Sequence, residues 1–211
     1  MPLLIPLTCP RCGSDLAGGA GARIFLCTKC LRAQFMERPE VSYPVVFIQS
    51  VLAQGESLLY VPFWRVSGKA SLNCPDHKKA ERYKSVKALG PLMVPAYWSP
   101  RADYYEDFAL RYAREPDKLI PGPEAGGTIL DGVRAPATLP EIARLTWLAY
   151  LDRFADVTGV RLTFKVESTA YACVPFFREG RGYVEGIFGT SIPGSFLVEE
   201  SPVPSLSTKL P

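Results

Sequence analysis

LYVPFWRVSGKASL, residues 59–72, reads as an apolar run broken first by a proline and then by a Ser-Gly-Lys triplet. Its β-branched and aromatic residues favour an extended chain, and Ser67-Gly68-Lys69 has the composition of a tight turn, so the stretch predicts a β-hairpin. Pro62 lacks the N–H that a ladder needs, which points to a sheet edge or a bulge. Two other segments repeat the pattern. One is Val94-Pro95-Ala96-Tyr97-Trp98; the other is Val174-Pro175-Phe176-Phe177, which runs into Glu179-Gly180-Arg181-Gly182 and a further strand. Their uneven spacing argues against a solenoid, and the repetition predicts duplicated hairpins within one antiparallel β domain. Core packing is the expected role of the aromatic residues, which carry much of the apolar area a domain buries. The alternative is an exposed platform for a partner strand or peptide, made of Phe63, Trp64, Tyr97, Trp98, Phe176 and Phe177.

Two helices are expected between the repeats. Ser99 can cap the first, with Pro100 at its first position and an end near Arg114; Tyr104, Tyr105, Phe108 and Tyr112 form its aromatic face. The second opens on the capping-box pattern Thr138-Leu139-Pro140-Glu141 and ends before Gly159, with Trp147, Tyr150, Leu151 and Phe154 on its apolar side. The Pro- and Gly-rich linker from Glu115 to Ala137 reads as a long surface loop. The ending EESPVPSLSTKLP reads as an extended or disordered tail over residues 199–211.

Upstream of the repeats lies CPRCGSDLAGGAGARIFLCTKC, residues 9–30, with the layout C-x2-C-x14-C-x2-C. A two-residue gap lets one tight turn aim two thiolates at one ion, and Gly13 can relax the backbone behind the first turn. Two such turns on adjacent hairpins supply four sulfur ligands, so Cys9, Cys12, Cys27 and Cys30 predict a structural Zn2+ site in a zinc ribbon. Four thiolates leave no coordination position for water, which argues against a catalytic metal. An iron–sulfur cluster and a rubredoxin-like iron use the same ligands, and a thioredoxin-like redox pair would use one motif rather than two. Leu31 departs from the pattern, because the second turn ordinarily carries glycine there. The ribbon is assigned to residues 1–38, and Arg38-Pro39-Glu40 marks the change to an α+β domain over residues 39–198.

The totals fit this picture. The chain has 211 residues, 47% hydrophobic and 21% charged, and its 20 prolines and 17 glycines suit turns and interrupted strands better than a helical bundle. A net charge of +3 is too small to imply a nucleic-acid or membrane partner by itself. The start, MPLLIPLTCP, has no basic leader, no apolar stretch is long enough for a membrane span, and a cytoplasmic location is the expectation. Six cysteines are too few for a disulfide-framed secreted module of this size.

No phosphate-cradling glycine loop, nucleotide fingerprint or nucleophile elbow occurs, and no catalytic residues are assigned. The lone His77 sits near Cys74 in what reads as a hairpin tip; with Cys173 these residues offer a second reading as a Cys/His-dependent enzyme. Lys78, Lys79, Arg82, Lys84 and Lys87 form a basic cluster that can contact nucleic acid, or can simply keep a strand face soluble.

CPRCGSDL, FLCTKC, YVPFWRVSGKASL, MVPAYWSP and ACVPFFREGRGYVEGIFG together resemble a group of uncharacterised bacterial zinc-ribbon proteins. In them an N-terminal ribbon precedes repeated hairpins carrying a proline followed by aromatics, and some are labelled relatives of a primosomal helicase protein. The resemblance implies ribbon ligands at Cys9, Cys12, Cys27 and Cys30; no helicase motif accompanies it. The expected function is that of a non-enzymatic interaction or scaffold subunit with a protein partner. Its alternatives are a nucleic-acid-binding accessory protein and the Cys/His enzyme.

Overall fold

The computed structural model of the chain describes residues 7–52, 57–99 and 103–197, with residues 103–106 described in their backbone only. The strands, in chain order, are β1 (Ile24–Cys27), β2 (Arg32–Phe35), β3 (Arg38–Ile48), β4 (Leu58–Asn73), β5 (Leu92–Pro95), β6 (Pro121–Gly122), β7 (Thr128–Ile129), β8 (Arg161–Glu179), β9 (Gly182–Glu185) and β10 (Ser191–Pro193). The helices are α1 (His77–Lys84), α2 (Asp103–Arg114) and α3 (Leu139–Asp152). The class is α+β, and the main path of the sheet is β1-β2-β3-β8-β4-β5. No helix among the described residues is long and apolar enough to cross a membrane.

The centre of this sheet is the antiparallel pair β4–β8. Leu59–Trp64 and Tyr171–Phe177 are buried without interruption, which explains why neither reads as alternating. Val61, Phe63, Ala172, Val174 and Phe176 pack on one face with Phe108 and Tyr112 of α2 and with Tyr183, Ile192 and Phe196. Tyr60, Trp64, Val66, Tyr171 and Cys173 pack on the other face with Ile24, Leu26, Ala33 and Phe35 of the N-terminal hairpin and Leu139 of α3. Withdrawing each large side chain from water on either face contributes roughly 1.5–3 kcal/mol.

The repeats are therefore paired strands rather than separate hairpins. Val61 lies opposite Val174, Tyr60 opposite Pro175 and Pro62 opposite Cys173, so two of the Val-Pro motifs cross one another. Ser67-Gly68-Lys69 is no turn: β4 continues through it to Asn73, and the glycine marks a bulge against Lys165, where an added Cβ would lie 2.3 Å from a carbonyl oxygen. A turn does follow the third motif, where Gly180 at φ 56° joins β8 to β9. The expected edge position of Pro62 also fails, since β4 lies between β8 and β5. The ladder accommodates it by changing partner. Ala96 N donates to Pro62 O at 3.0 Å, while Ala96 O accepts from Val133 N and Arg134 N instead of from the N–H that proline lacks. Pro175 makes the corresponding acceptance from Gly186 N at 2.8 Å. The surroundings match as well: β5 flanks β4 as β9 flanks β8, and the parallel strands β7 and β3 lie against β4 and β8 respectively.

The linker before α3 is no loose loop. It supplies β6 and β7, buries Leu119, Ile129 and Leu130, and offers Gly132 O to Arg23 N and Ile24 N. The capping box at Thr138 does not form, because a 3-10 turn over Pro136–Thr138 precedes the helix and the Thr138 hydroxyl donates to Ala135 O. Glu141 is left to pair with Arg144. Of the first helix's expected features, Phe108 and Tyr112 are buried, while Pro100 and the side chains of Tyr104 and Tyr105 lie outside the described residues, as does the tail at 199–211. The segment expected to form a hairpin tip is instead α1, capped by the Asp76 carboxylate, which accepts from Lys78 N and Lys79 N at 2.8 and 3.1 Å.

Among the described residues one charged side chain is wholly inside. Glu185, 0% exposed, accepts from Ile187 N at 2.8 Å and the Tyr112 hydroxyl at 3.0 Å on one oxygen, and from Phe188 N at 2.7 Å on the other. Both oxygens face donors, so Glu185→Gln must turn its amide N–H toward another N–H or O–H. The expected loss is about 1–3 kcal/mol, seen as a melting temperature several degrees lower in calorimetry of the variant.

Candidate metal centre

The second cysteine turn is the tip of the β1–β2 hairpin, with Cys27 opposite Arg32 and Cys30 within the turn. The first turn is closed by Gly13 N donating to Cys9 O at 2.8 Å and Cys9 N donating to Ser14 O at 2.7 Å. It is tied to β1 by reciprocal bonds of 2.8 Å between Ala17 and Leu26. Gly13 occupies φ 72° with open space where a Cβ would stand, so conformation rather than crowding demands glycine there. Leu31 stands at the matching position of the second turn and takes φ 50° despite its side chain, the one described non-glycine residue in the left-handed region.

These turns bring the four sulfurs within 4.8 Å of one another. Cys9 Sγ lies 3.6 Å from Cys30 Sγ, and Cys12 Sγ lies 3.4 Å from Cys27 Sγ. Such separations are too long for a disulfide, at about 2.05 Å. They suit a tetrahedron around a single ion, whose ligand sulfurs stand about 3.8 Å apart when the metal–sulfur bond is about 2.3 Å. Among the described residues this is the one cluster of cysteine, histidine and carboxylate side chains that can hold a metal ion.

The polar surroundings favour thiolates unevenly. The amide and hydroxyl of Ser14 bring Cys12 down to about 6. Burial raises Cys9, but the amides of Arg11 and Cys12 more than offset it and leave that thiol below its ordinary value. Burial holds Cys27 above the ordinary range and, with the neighbouring thiols, pushes Cys30 up to about 12. Four negative sulfurs in this space thus need a cation among them. The arrangement can hold a metal and closes its sphere with protein sulfur.

Gln34 is a member of this site that the sequence alone does not single out. It is 2% exposed on β2 and donates from Nε2 to Cys9 Sγ at 3.4 Å. An N–H directed at a thiolate orients the ligand and draws off charge. Its Oε1 has no hydrogen-bond partner among the described residues, so the donation to sulfur is the amide's principal polar contact. The only hint in the sequence is one polar residue between Ala33 and Phe35 on a buried strand.

Other candidate residues are placed differently. Phe63, Trp64, Tyr97, Phe176 and Phe177 are buried in the core, which corrects their reading as an exposed platform; Trp98 alone of that set is exposed, at 61%. Trp64 packs edge-on against Tyr43 and Tyr171 and donates from Nε1 to Arg134 O at 2.9 Å. In the basic cluster, Lys79 pairs with Asp156 at 2.8 Å and Lys84 with Glu81 at 2.6 Å. Lys78, Arg82 and Lys87 are exposed. Cys173 lies in the sheet's core, where burial raises its thiol far above the ordinary value, and neither it nor Cys74 or His77 joins a ligand cluster.

The left-handed backbone at Leu31 costs about 1 kcal/mol for a residue with a side chain, and that side chain is 46% exposed. Leu31→Gly is therefore expected to raise the melting temperature of the metal-loaded protein by a few degrees; a fall would mean that the leucine contributes packing. Comparison with protein-family models, with curated proteins and with solved structures returns no match.

Proposed function

We propose that this chain is a non-catalytic interaction or scaffold protein, stiffened by one structural Zn2+ at Cys9, Cys12, Cys27 and Cys30, with its ribbon tip as the contact surface. The all-sulfur donor set and the short sulfur–sulfur distances favour a single borderline-soft ion over a multinuclear cluster, whose bulk would spread its ligands. A sphere filled by four thiolates has no position for substrate or water, which supports a structural role.

The observation that carries the contact surface is Leu31. It keeps a strained backbone and an exposed apolar side chain where glycine would carry no such strain. Leu7, also exposed at 42%, lies just before the first turn. These residues replace the proline-aromatic repeats as the proposed binding face. The nucleic-acid reading has less support, because two of its five cations are already paired with carboxylates.

Elemental analysis of the reduced protein is expected to find a single equivalent of zinc. Chelation, or Cys27→Ser, should lower the melting temperature sharply and open the β1–β2 amides to hydrogen exchange. Protein lacking stoichiometric metal would refute the centre.

A photocrosslinker at position 31 should capture one protein in defined ratio from native lysate. Purified, that protein should bind the wild type and bind Leu31→Gly at least about tenfold more weakly. Equal binding by a folded Leu31→Gly would overturn the assignment of the ribbon tip.

A further inference from the structure

α2, α3, the segment after α1 and the β9–β10 turn surround a cleft of about 760 Å³ on the side of the sheet away from the ribbon's packing face. That volume lies in the range of small-molecule sites. Among the described residues four cations line it, from three separate parts of the chain: Lys87 after α1, Arg111 and Arg114 on α2, and Arg153 at the end of α3. Two described acids, Asp107 and Glu115, share the lining, and Glu115 is engaged by Lys118 at 2.8 Å.

Arg111 is fixed before any ligand arrives. Its guanidinium lies 4.2 Å from the centroid of the Phe188 ring and donates to Thr190 Oγ1 at 2.6 Å. No carboxylate pairs with it among the described residues. The Thr190 hydroxyl accepts this bond and so keeps its own hydrogen to donate. Lys87 is held through its backbone, whose carbonyl accepts from the Tyr150 hydroxyl at 3.3 Å. The floor is apolar, with Phe108, Leu110 and the Tyr150 ring buried beneath the charges.

Arginines in a last helical turn also complement the helix dipole. That accounts for the sign of Arg111 and Arg114. It does not account for Lys87, which belongs to no helix, or for the reach of Arg111 to Thr190 across the cleft.

We propose that this cleft binds a phosphate-bearing small molecule with at least two negative charges, its anionic end on Arg111, Arg114 and Lys87 and any ring against the apolar floor. The preorganised Arg111 guanidinium, with two further cations beside it over a partly dry surface, suits phosphate oxygens, which accept paired N–H bonds. This goes beyond the interaction role above and does not depend on it.

Calorimetric titration of the zinc-loaded full chain at low salt, with pyrophosphate and with ATP as probes, tests the assignment. At least one probe is expected to saturate a single site and to weaken as salt rises. Arg111→Gln with Arg114→Gln should reduce its affinity at least about tenfold. Because Arg111 also packs on Phe188, Lys87→Glu provides an independent variant, whose exposed side chain leaves the fold alone; it too should weaken the probe. The absence of saturable binding by both probes would overturn the proposal, as would unchanged affinity in Lys87→Glu. So would a single-stranded oligonucleotide that binds here and is not displaced by pyrophosphate, because the ligand would then be a nucleic acid. Loss of the ribbon-tip contact with cleft binding intact would leave this inference standing.

Discussion

Leu59–Trp64 and Tyr171–Phe177 face one another across an antiparallel ladder and are withheld from water on both sides of the sheet. Most other elements pack over this patch or extend its edges, while α1 packs through Tyr83 on Leu151 and Leu162. A strand pair covered on two faces cannot be satisfied by one layer, so α2 and the β9–β10 turn supply one cover, and the β1–β2 hairpin with the start of α3 supplies the other. The prolines set where each cover begins. Pro62 ends conventional pairing with β5 and leaves Ala96 O to Val133 and Arg134, which draws the strap before α3 across the sheet. Pro175, two positions along the ladder from Pro62, takes Gly186 N in the same way beside the buried Glu185.

The cysteine turns are part of this construction. β3 pairs with β2 on one side and runs parallel to β8 on the other, so the expected boundary at Arg38-Pro39-Glu40 falls at the start of a strand that both regions share. Ile24, Leu26, Ala33 and Phe35 sit in the same cluster as Trp64 and Tyr171. A hairpin of four-residue strands has too little core to hold itself together, and an ion bound by its turns would stabilise the cover over the central pair as well as the hairpin. Asp131 adds a second tie from the strap, accepting from Gly19 N at 2.9 Å where any side chain on Gly19 would collide with the carboxylate.

What can be read from the sequence follows sequence distance. The cysteine quartet is legible because two-residue gaps fix local turn geometry, and the positive φ at Gly13 and Leu31 follows from the same local constraint. The α+β class and two helices are legible from composition and periodicity. The pairing of Val61 with Val174 is not, because nothing local to either motif names a partner more than a hundred residues away. Ser67-Gly68-Lys69 misleads for a related reason: glycine serves a turn and a bulge equally well, and only the opposite strand, with Lys165 O pressed against it, decides which. Asp76 is a helix cap masked by the cysteine and proline beside it, which suggest a hairpin tip. Gln34 is hidden among apolar neighbours, and its role exists only once Cys9 is folded against it.

The same two-faced pair also keeps the candidate sites apart. The metal turns rest on the face carrying Trp64 and Tyr171, whereas Phe108 of the cleft belongs to the face carrying Phe63 and Phe176. A close-packed interior passes strain between its faces only if a shared strand moves; β3 and β5 reach both clusters too, but β4 and β8 carry most of the side chains that do. Their long common ladder, closed at its far end by Asn73 opposite Arg161, makes such movement costly, because it would have to shift the register of the buried Val-Pro crossing. The physical expectation is therefore two independent sites on one rigid frame rather than a switch. The frame owes that rigidity to the central pair, and an ion held by the cysteine turns would keep one of its covers in place.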